Sequence, residues 1–156
     1  MEQARADLIK RISATLESTK RAMQAQFYQA IEQTGLRISH AHLLILILQL
    51  QPVQLKDLAS KMYLTPGAIT QIIESLCKDG YLTRKQDERD RRSVFVSLTD
   101  KGVNTVNKIQ GVLQERFTEM LTTLTDNELE LYMRAQQKML EYLQAEQITT
   151  KQGASQ

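Results

Sequence analysis

The sequence predicts a mainly α-helical chain with one small β-hairpin, an α+β arrangement, and three observations carry that expectation. Apolar residues recur at helical spacing through most of the chain, from Leu8 to Leu143. One stretch breaks the rhythm: after Gly80 the runs YLTRKQ and SVFVSLT flank the polar string DERDRR, the pattern of two strands and a loop. Just before it, two short helical patterns are separated only by Tyr63, Leu64 and a capping Thr65, a connection as tight as that of a helix-turn-helix.

The first helix is read from Leu8, Ile9, Ile12, Leu16, Met23, Phe27 and Ile31, which fall mostly at four-residue steps, with Gly35 as its stop. The run AHLLILILQL suits a buried helix or a buried strand by composition. Ser39 as N-cap and Pro52 just past the end favour a helix. Leu55, Leu58, Ala59 and Met62 then share one face of a short helix. In the next, Thr65 is the N-cap, Pro66 takes the first helical position and Gly80 ends the helix in a left-handed conformation. Ile69, Ile72, Ile73 and Leu76 form its buried stripe, and Gly67, Thr70, Gln71, Glu74 and Lys78 lie opposite. Val94, Val96 and Leu98 alternate with Ser93, Phe95 and Ser97 in the second strand. From Thr99 a long helix carries Val103, Val106, Ile109, Val112, Leu113, Phe117, Met120, Leu121 and Leu124. Thr125 and Glu128 form a capping box that opens the last helix, with Leu129, Tyr132, Met133, Met139, Leu140 and Leu143 on its apolar side. Beyond Ile148 the string TTKQGASQ is small and polar, so residues 149–156 are expected to be a flexible tail.

The 156 residues, 42% hydrophobic and 24% charged, suffice for one substantial core, and so for one unit or half of a dimer. The net charge is only +2, so a nucleic-acid surface must come from local clustering. The arginines from Arg84 to Arg92 supply it. Cys77 is the single cysteine, which excludes an intramolecular disulfide framework and points to a reducing cytoplasm. The N-terminal MEQARADLIKR lacks the apolar centre of a signal peptide, and the longest apolar run, Leu43 to Leu50, is far below the ~18 residues of a membrane span.

Together, LKDLASKMYLTPGAITQIIESLCKDGYL, DERDRRSVFVSLTDKG and the helical flanks resemble the MarR family of bacterial transcriptional regulators, which are winged helix-turn-helix homodimers. The D-x-R-D-x-R string at Asp87, Arg89, Asp90 and Arg92 is the most specific part. The resemblance implies a DNA-binding lobe at residues 37–98 and a helical dimerisation region at 1–36 and 99–148. It also implies binding to double-stranded operator DNA that a small ligand or an oxidant modulates.

Residue roles follow from chemistry and from that resemblance. Gln71 either pairs with adenine at N6 and N7 or meets a phosphate, and Thr70 suits a thymine methyl; the plainer reading makes both solvated surface. Thr65, Pro66, Gly67 and Ala68 let backbone come close, and the helix N-terminus there can receive a phosphate. Glu74 either accepts from cytosine N4 or marks the edge of the contact area, with Lys78 beyond it. In the wing, Arg84, Arg89, Asp90, Arg91 and Arg92 supply the charge, although a bare charge run is usually a solvated loop. The resemblance implies that aspartate–arginine pairs hold the tip while one arginine, Arg91 first and Arg89 second, enters the minor groove. A narrow A·T-rich groove favours such an insertion.

Cys77 is read as a redox switch through an intermolecular disulfide or, more plainly, as a small, partly buried filler; Lys78 is the only basic neighbour obvious in sequence. The first helix has no cysteine, a departure from family members that sense thiols there. His40 and His42 would point about 200° apart on a helix, against a shared metal. The resemblance puts effector pockets near the start of that helix, which makes Phe27, Tyr28 and His42 the pocket candidates. No nucleophile elbow, phosphate loop, cofactor motif or paired metal ligands are present in the sequence. The expected function is therefore a DNA-binding regulator and not an enzyme. The alternatives are a winged helix that docks a protein, for which the arginine-rich wing is a poor match, and a redox sensor through Cys77.

Overall fold

The computed structural model describes residues 2–86 and 94–153, with side chains through Glu146. Its elements are α1 (Glu2–Glu32), α2 (Ile38–Leu50), β1 (Val53–Gln54), α3 (Leu55–Lys61), α4 (Pro66–Lys78), β2 (Leu82–Gln86), β3 (Val94–Leu98), α5 (Asp100–Leu121) and α6 (Asp126–Gly153). Two compact units result, residues 1–113 and 114–156.

In the first unit the apolar stripes read from the sequence converge. Leu43, Leu44 and Ile47 of α2, Leu58 of α3, Ile69, Ile73 and Leu76 of α4, Leu82, Val96 and Val106 form one buried cluster. A second cluster joins Ala30 and Ile31 of α1 to Ala41 and Ile109, with Phe27 and Leu113 packed on it. Burial of apolar side chains at about 1.5–3 kcal/mol each is the main force holding this lobe together.

The hairpin pairs β2 with β3 antiparallel, from Leu82 opposite Leu98 to Gln86 opposite Val94. A third strand, β1, adds to the other side of β3 with Val53 opposite Val96. No sequence pattern announced β1, because two residues cannot display a period. It matters for the wing, since it ties the hairpin base to the chain leading into α3. The Gln51 side chain reinforces that tie by accepting a hydrogen bond from the Leu98 amide at 3.0 Å.

Most helix ends follow local chemistry. Gly80 has φ +75°, and the Tyr81 and Gly80 amides donate to the carbonyls of Leu76 and Cys77 at 2.8 and 3.0 Å, which is a Schellman closure of α4. One expected cap is corrected. Arg37, not Ser39, occupies the N-cap of α2 and makes no side-chain cap bond. The chain turns earlier, because Thr34 donates to the Ile31 carbonyl and accepts from the Leu36 amide, with Gly35 at φ +71° between them. Ser39 is thereby placed inside the first turn.

The second unit holds the end of α5 and the whole of α6. The Thr125 amide and hydroxyl both donate to the Glu128 carboxylate at 2.8 Å, and the Glu128 amide donates back to the Thr125 hydroxyl at 3.4 Å. These bonds hold the Glu128 carboxyl below the usual glutamate range, the Thr125 amide contributing most. Helix α6 continues to Gly153, past the Ile148 limit expected from composition. Threonine, lysine and glutamine are tolerated in a helix, and the first strong breaker after Ile148 is Gly153 itself.

Candidate nucleic-acid interface

A short turn carries α3 into α4. The Leu64 amide donates to the Ala59 carbonyl at 3.0 Å, and Tyr63 reverses the chain at φ +52° with its ring almost wholly exposed. Thr65 then caps α4 as expected, its hydroxyl oxygen accepting from the Ala68 amide at 3.2 Å with Pro66 in the first turn. Thr65, Pro66 and Gly67 are exposed and Ala68 half-buried. A side-chain carbon at Gly67 would meet nothing within 4 Å, so its backbone is open to a close approach.

With Ile69, Ile73 and Leu76 turned into the core, the opposite face of α4 presents Gln71, Glu74 and Lys78 to solvent, and Thr70 is half-buried. The Thr70 hydroxyl donates to the Pro66 carbonyl at 2.8 Å. That leaves its methyl as the group free of hydrogen bonding. On one flank, Gln71 lines an open cleft of about 420 Å³ with Arg37, His40, Ser75 and Asp79. Burial pulls the His40 imidazole below its usual range, Arg37 adds to the effect and Asp79 opposes it, so His40 is neutral at neutral pH.

On the other flank, Thr70 and Pro66 share a cleft of about 260 Å³ with Gln54, Lys56 and Val94. Gln54 and Lys56 escaped the sequence reading. The signal was available, because the first helix of a helix-turn-helix crosses the DNA backbone and Lys56 stands exposed in its first turn.

The base of the wing is locked to the end of α4. Thr99 donates its hydroxyl to the Gly80 carbonyl at 2.7 Å, and the Lys101 ammonium donates to the Asp79 carbonyl at 2.7 Å while lying 4.1 Å from the centre of the Tyr81 ring. Arg84 faces α4: it pairs with Glu74 at 3.8 Å and donates to the Thr70 carbonyl at 3.4 Å. The tip residues Arg89, Asp90, Arg91 and Arg92, with Asp87, lie outside the described residues.

Cys77 is half-buried. Burial pushes its thiol up, a shift that the Arg84 guanidinium opposes and Glu74 reinforces. The basic group beside the sulfur is thus Arg84 and not Lys78, the sequence neighbour. A raised thiol is mostly protonated at neutral pH, which disfavours attack on an oxidant.

The three pocket candidates do come together where α1 meets α2. The Phe27 and His42 rings stack with centroids 5.0 Å apart and planes 15° from parallel, and Tyr28 stands 6.1 Å from Phe27. The Tyr28 hydroxyl accepts from the Gln24 amide at 2.7 Å. No group of metal-ligating side chains occurs among the described residues.

The model of the MarR family matches residues 36–94, the span of the helix-turn-helix and most of the wing. The uncharacterized HTH-type transcriptional regulator YkoM of Bacillus subtilis strain 168 is 30% identical over 131 residues, covering 76% of this chain and 85% of that protein. The chain belongs to the MarR family. The organic hydroperoxide resistance transcriptional regulator of the same organism is 28% identical over 87 residues, 56% of this chain and 59% of its own. Among solved structures, YusO of Bacillus subtilis superposes with a TM-score of 0.73 at 20% identity, over 86% of this chain and 96% of that one. MepR, a transcription regulator of a Staphylococcus aureus multidrug efflux pump, gives 0.73 at 20% identity over 84% and 97%. A MepR mutant bound to an oligodeoxyribonucleotide gives 0.67 at 21% identity over 85% and 97%. These likenesses establish the winged-helix fold, and the family is one of DNA-binding transcriptional regulators.

Proposed function

We propose that this MarR-family chain acts as a homodimer that binds a pseudo-palindromic operator and represses transcription by occupying it. The observation that carries the proposal is the construction of α4. A capped helix with an apolar inner face projects Gln71 outward beside Thr70, and the wing base is fastened to its far end. Such a helix suits a major groove, where a glutamine can read adenine N6 and N7 and a threonine methyl can meet thymine. The exposed N-terminus, Thr65 to Ala68, suits a backbone phosphate, and Lys56 suits the next one. The tip arginines, Arg91 foremost, would reach the adjacent minor groove.

Dimerisation is favoured by the exposure of Leu8, Ile9, Ile12 and Leu16 on α1 and of Leu131, Met133, Leu140 and Leu143 on α6. Apolar side chains repeated along two long helices suit a second copy of the chain. Two reading helices would then meet half-sites about 10–10.5 bp apart. A small-molecule effector near Phe27, Tyr28 and His42 would act by shifting that spacing. A cytoplasmic location fits a protein that acts on bacterial DNA, and no described helix is long and apolar enough to cross a membrane.

The test is to incubate purified protein with sheared genomic DNA and sequence what it retains. Recovery of fragments sharing an inverted repeat is the expected result, and recovery without any shared sequence contradicts the proposal.

A further inference from the structure

Strand alternation puts Arg84 on the same face of β2 as the buried Leu82, with Thr83 and Lys85 on the other. That face looks toward α4, and the side chain is accordingly drawn in: it is 32% exposed, against 61% for the Glu74 side chain it meets. Its fork holds Glu74 at 3.8 Å and the Thr70 carbonyl at 3.4 Å, positions one turn apart on a single edge of the helix. Glu74 stands on the exposed face one turn beyond Thr70, where a bare carboxylate would repel approaching phosphates.

We infer that Arg84 is a positioning residue that works through Glu74, holding and neutralising that carboxylate so that DNA can approach α4, and that it does not itself contact the DNA. The inference rests on the DNA-binding reading above. A guanidinium suits the task because its planar fork can hold a carboxylate and a carbonyl at once, which an ammonium cannot do in the same geometry. The arrangement also assigns Glu74 a role. It is a held group at the edge of the reading face and not a free acceptor for cytosine.

The experiment is a double-mutant cycle on the full chain, using one genomic fragment recovered as above. Arg84→Gln is expected to weaken binding about tenfold, within the range of coupling between residues in contact. In the Glu74→Gln background the same Arg84→Gln change is expected to cost less than about twofold, because no carboxylate remains to be held. A tenfold loss in both backgrounds means that Arg84 meets DNA directly and overturns the inference. Melting curves establish that each variant is folded. If Arg84→Gln is not, Arg84→Lys replaces it in the same cycle: an ammonium cannot make both contacts, so binding is expected to weaken in the wild-type background and to change less than about twofold in the Glu74→Gln background, and an equal loss in both contradicts the inference. Failure of the wild-type protein to bind any DNA removes both readings, whereas a background-independent loss with intact wild-type binding removes only this one.

Discussion

Gln71 and Thr70 illustrate what a residue can be asked to do once its surroundings are fixed. Thr70 has its hydroxyl committed to the Pro66 carbonyl, and the exposed Gln71 is left with the bonding capacity on the reading face. Gln71→Ala is therefore expected to relax preference at one base position of the operator by about 1–3 kcal/mol, measured as relative affinity for the four variants of that base pair. Uniform weakening across all four would assign Gln71 to a phosphate. Gly102 carries a different constraint. A side-chain carbon there would run into the Tyr81 carbonyl and come 2.8 Å from the Leu98 Cδ2. Gly102→Ala should cost about 1–3 kcal/mol in urea unfolding through overpacking, at the junction that fastens the wing to α4. The sequence showed Gly102 only as a glycine near a helix start. Its tightness depends on Tyr81 and Leu98 meeting it from the hairpin, which no local pattern records. The same holds for Arg84 beside Cys77, a contact between a strand and a helix, where sequence order offered only Lys78.

Elements were more legible than contacts. The stripe Ile69, Ile73, Leu76 and the signals Thr65, Pro66 and Gly80 located α4 because capping and amphipathic spacing are local physics. Strand β1 was invisible, since pairing with Val96 and not its own two residues makes it a strand. The α6 capping box was read correctly and has a pH signature. Because the Glu128 carboxyl titrates below its usual range in the folded chain, its stabilisation is complete above the ordinary glutamate range. It is lost as pH falls through the ordinary glutamate range and below it. Helix content followed by circular dichroism should decline over that interval in wild type and less so in Glu128→Gln. Identical acid profiles would show that the box contributes nothing to α6.

For the whole molecule, composition indicated one core, and the buried clusters of residues 1–113 supply it. Leu8, Ile9, Ile12 and Leu16 of α1 and Met133, Met139, Leu140 and Leu143 of α6 are exposed, whereas Ala30 and Ile31 near the end of α1 are buried. Ile12→Glu, which puts a charge on an exposed apolar face, should convert a dimer to monomer in light scattering coupled to size exclusion while leaving the wing lobe folded. A monomeric wild-type protein would instead detach those faces from dimerisation. The Phe27 and His42 rings stack where α1 meets α2, and an effector site there belongs to the proposal.

Hydroxyl-radical footprinting on a recovered operator tests the central claim most directly, because it reports both parts of the reader in one experiment. Two protected half-sites about one helical turn apart, each with protection extending into the flanking minor groove, are the predicted result. A single protected patch, or protection that does not change with DNA sequence, would contradict a dimer of paired helix-and-wing readers.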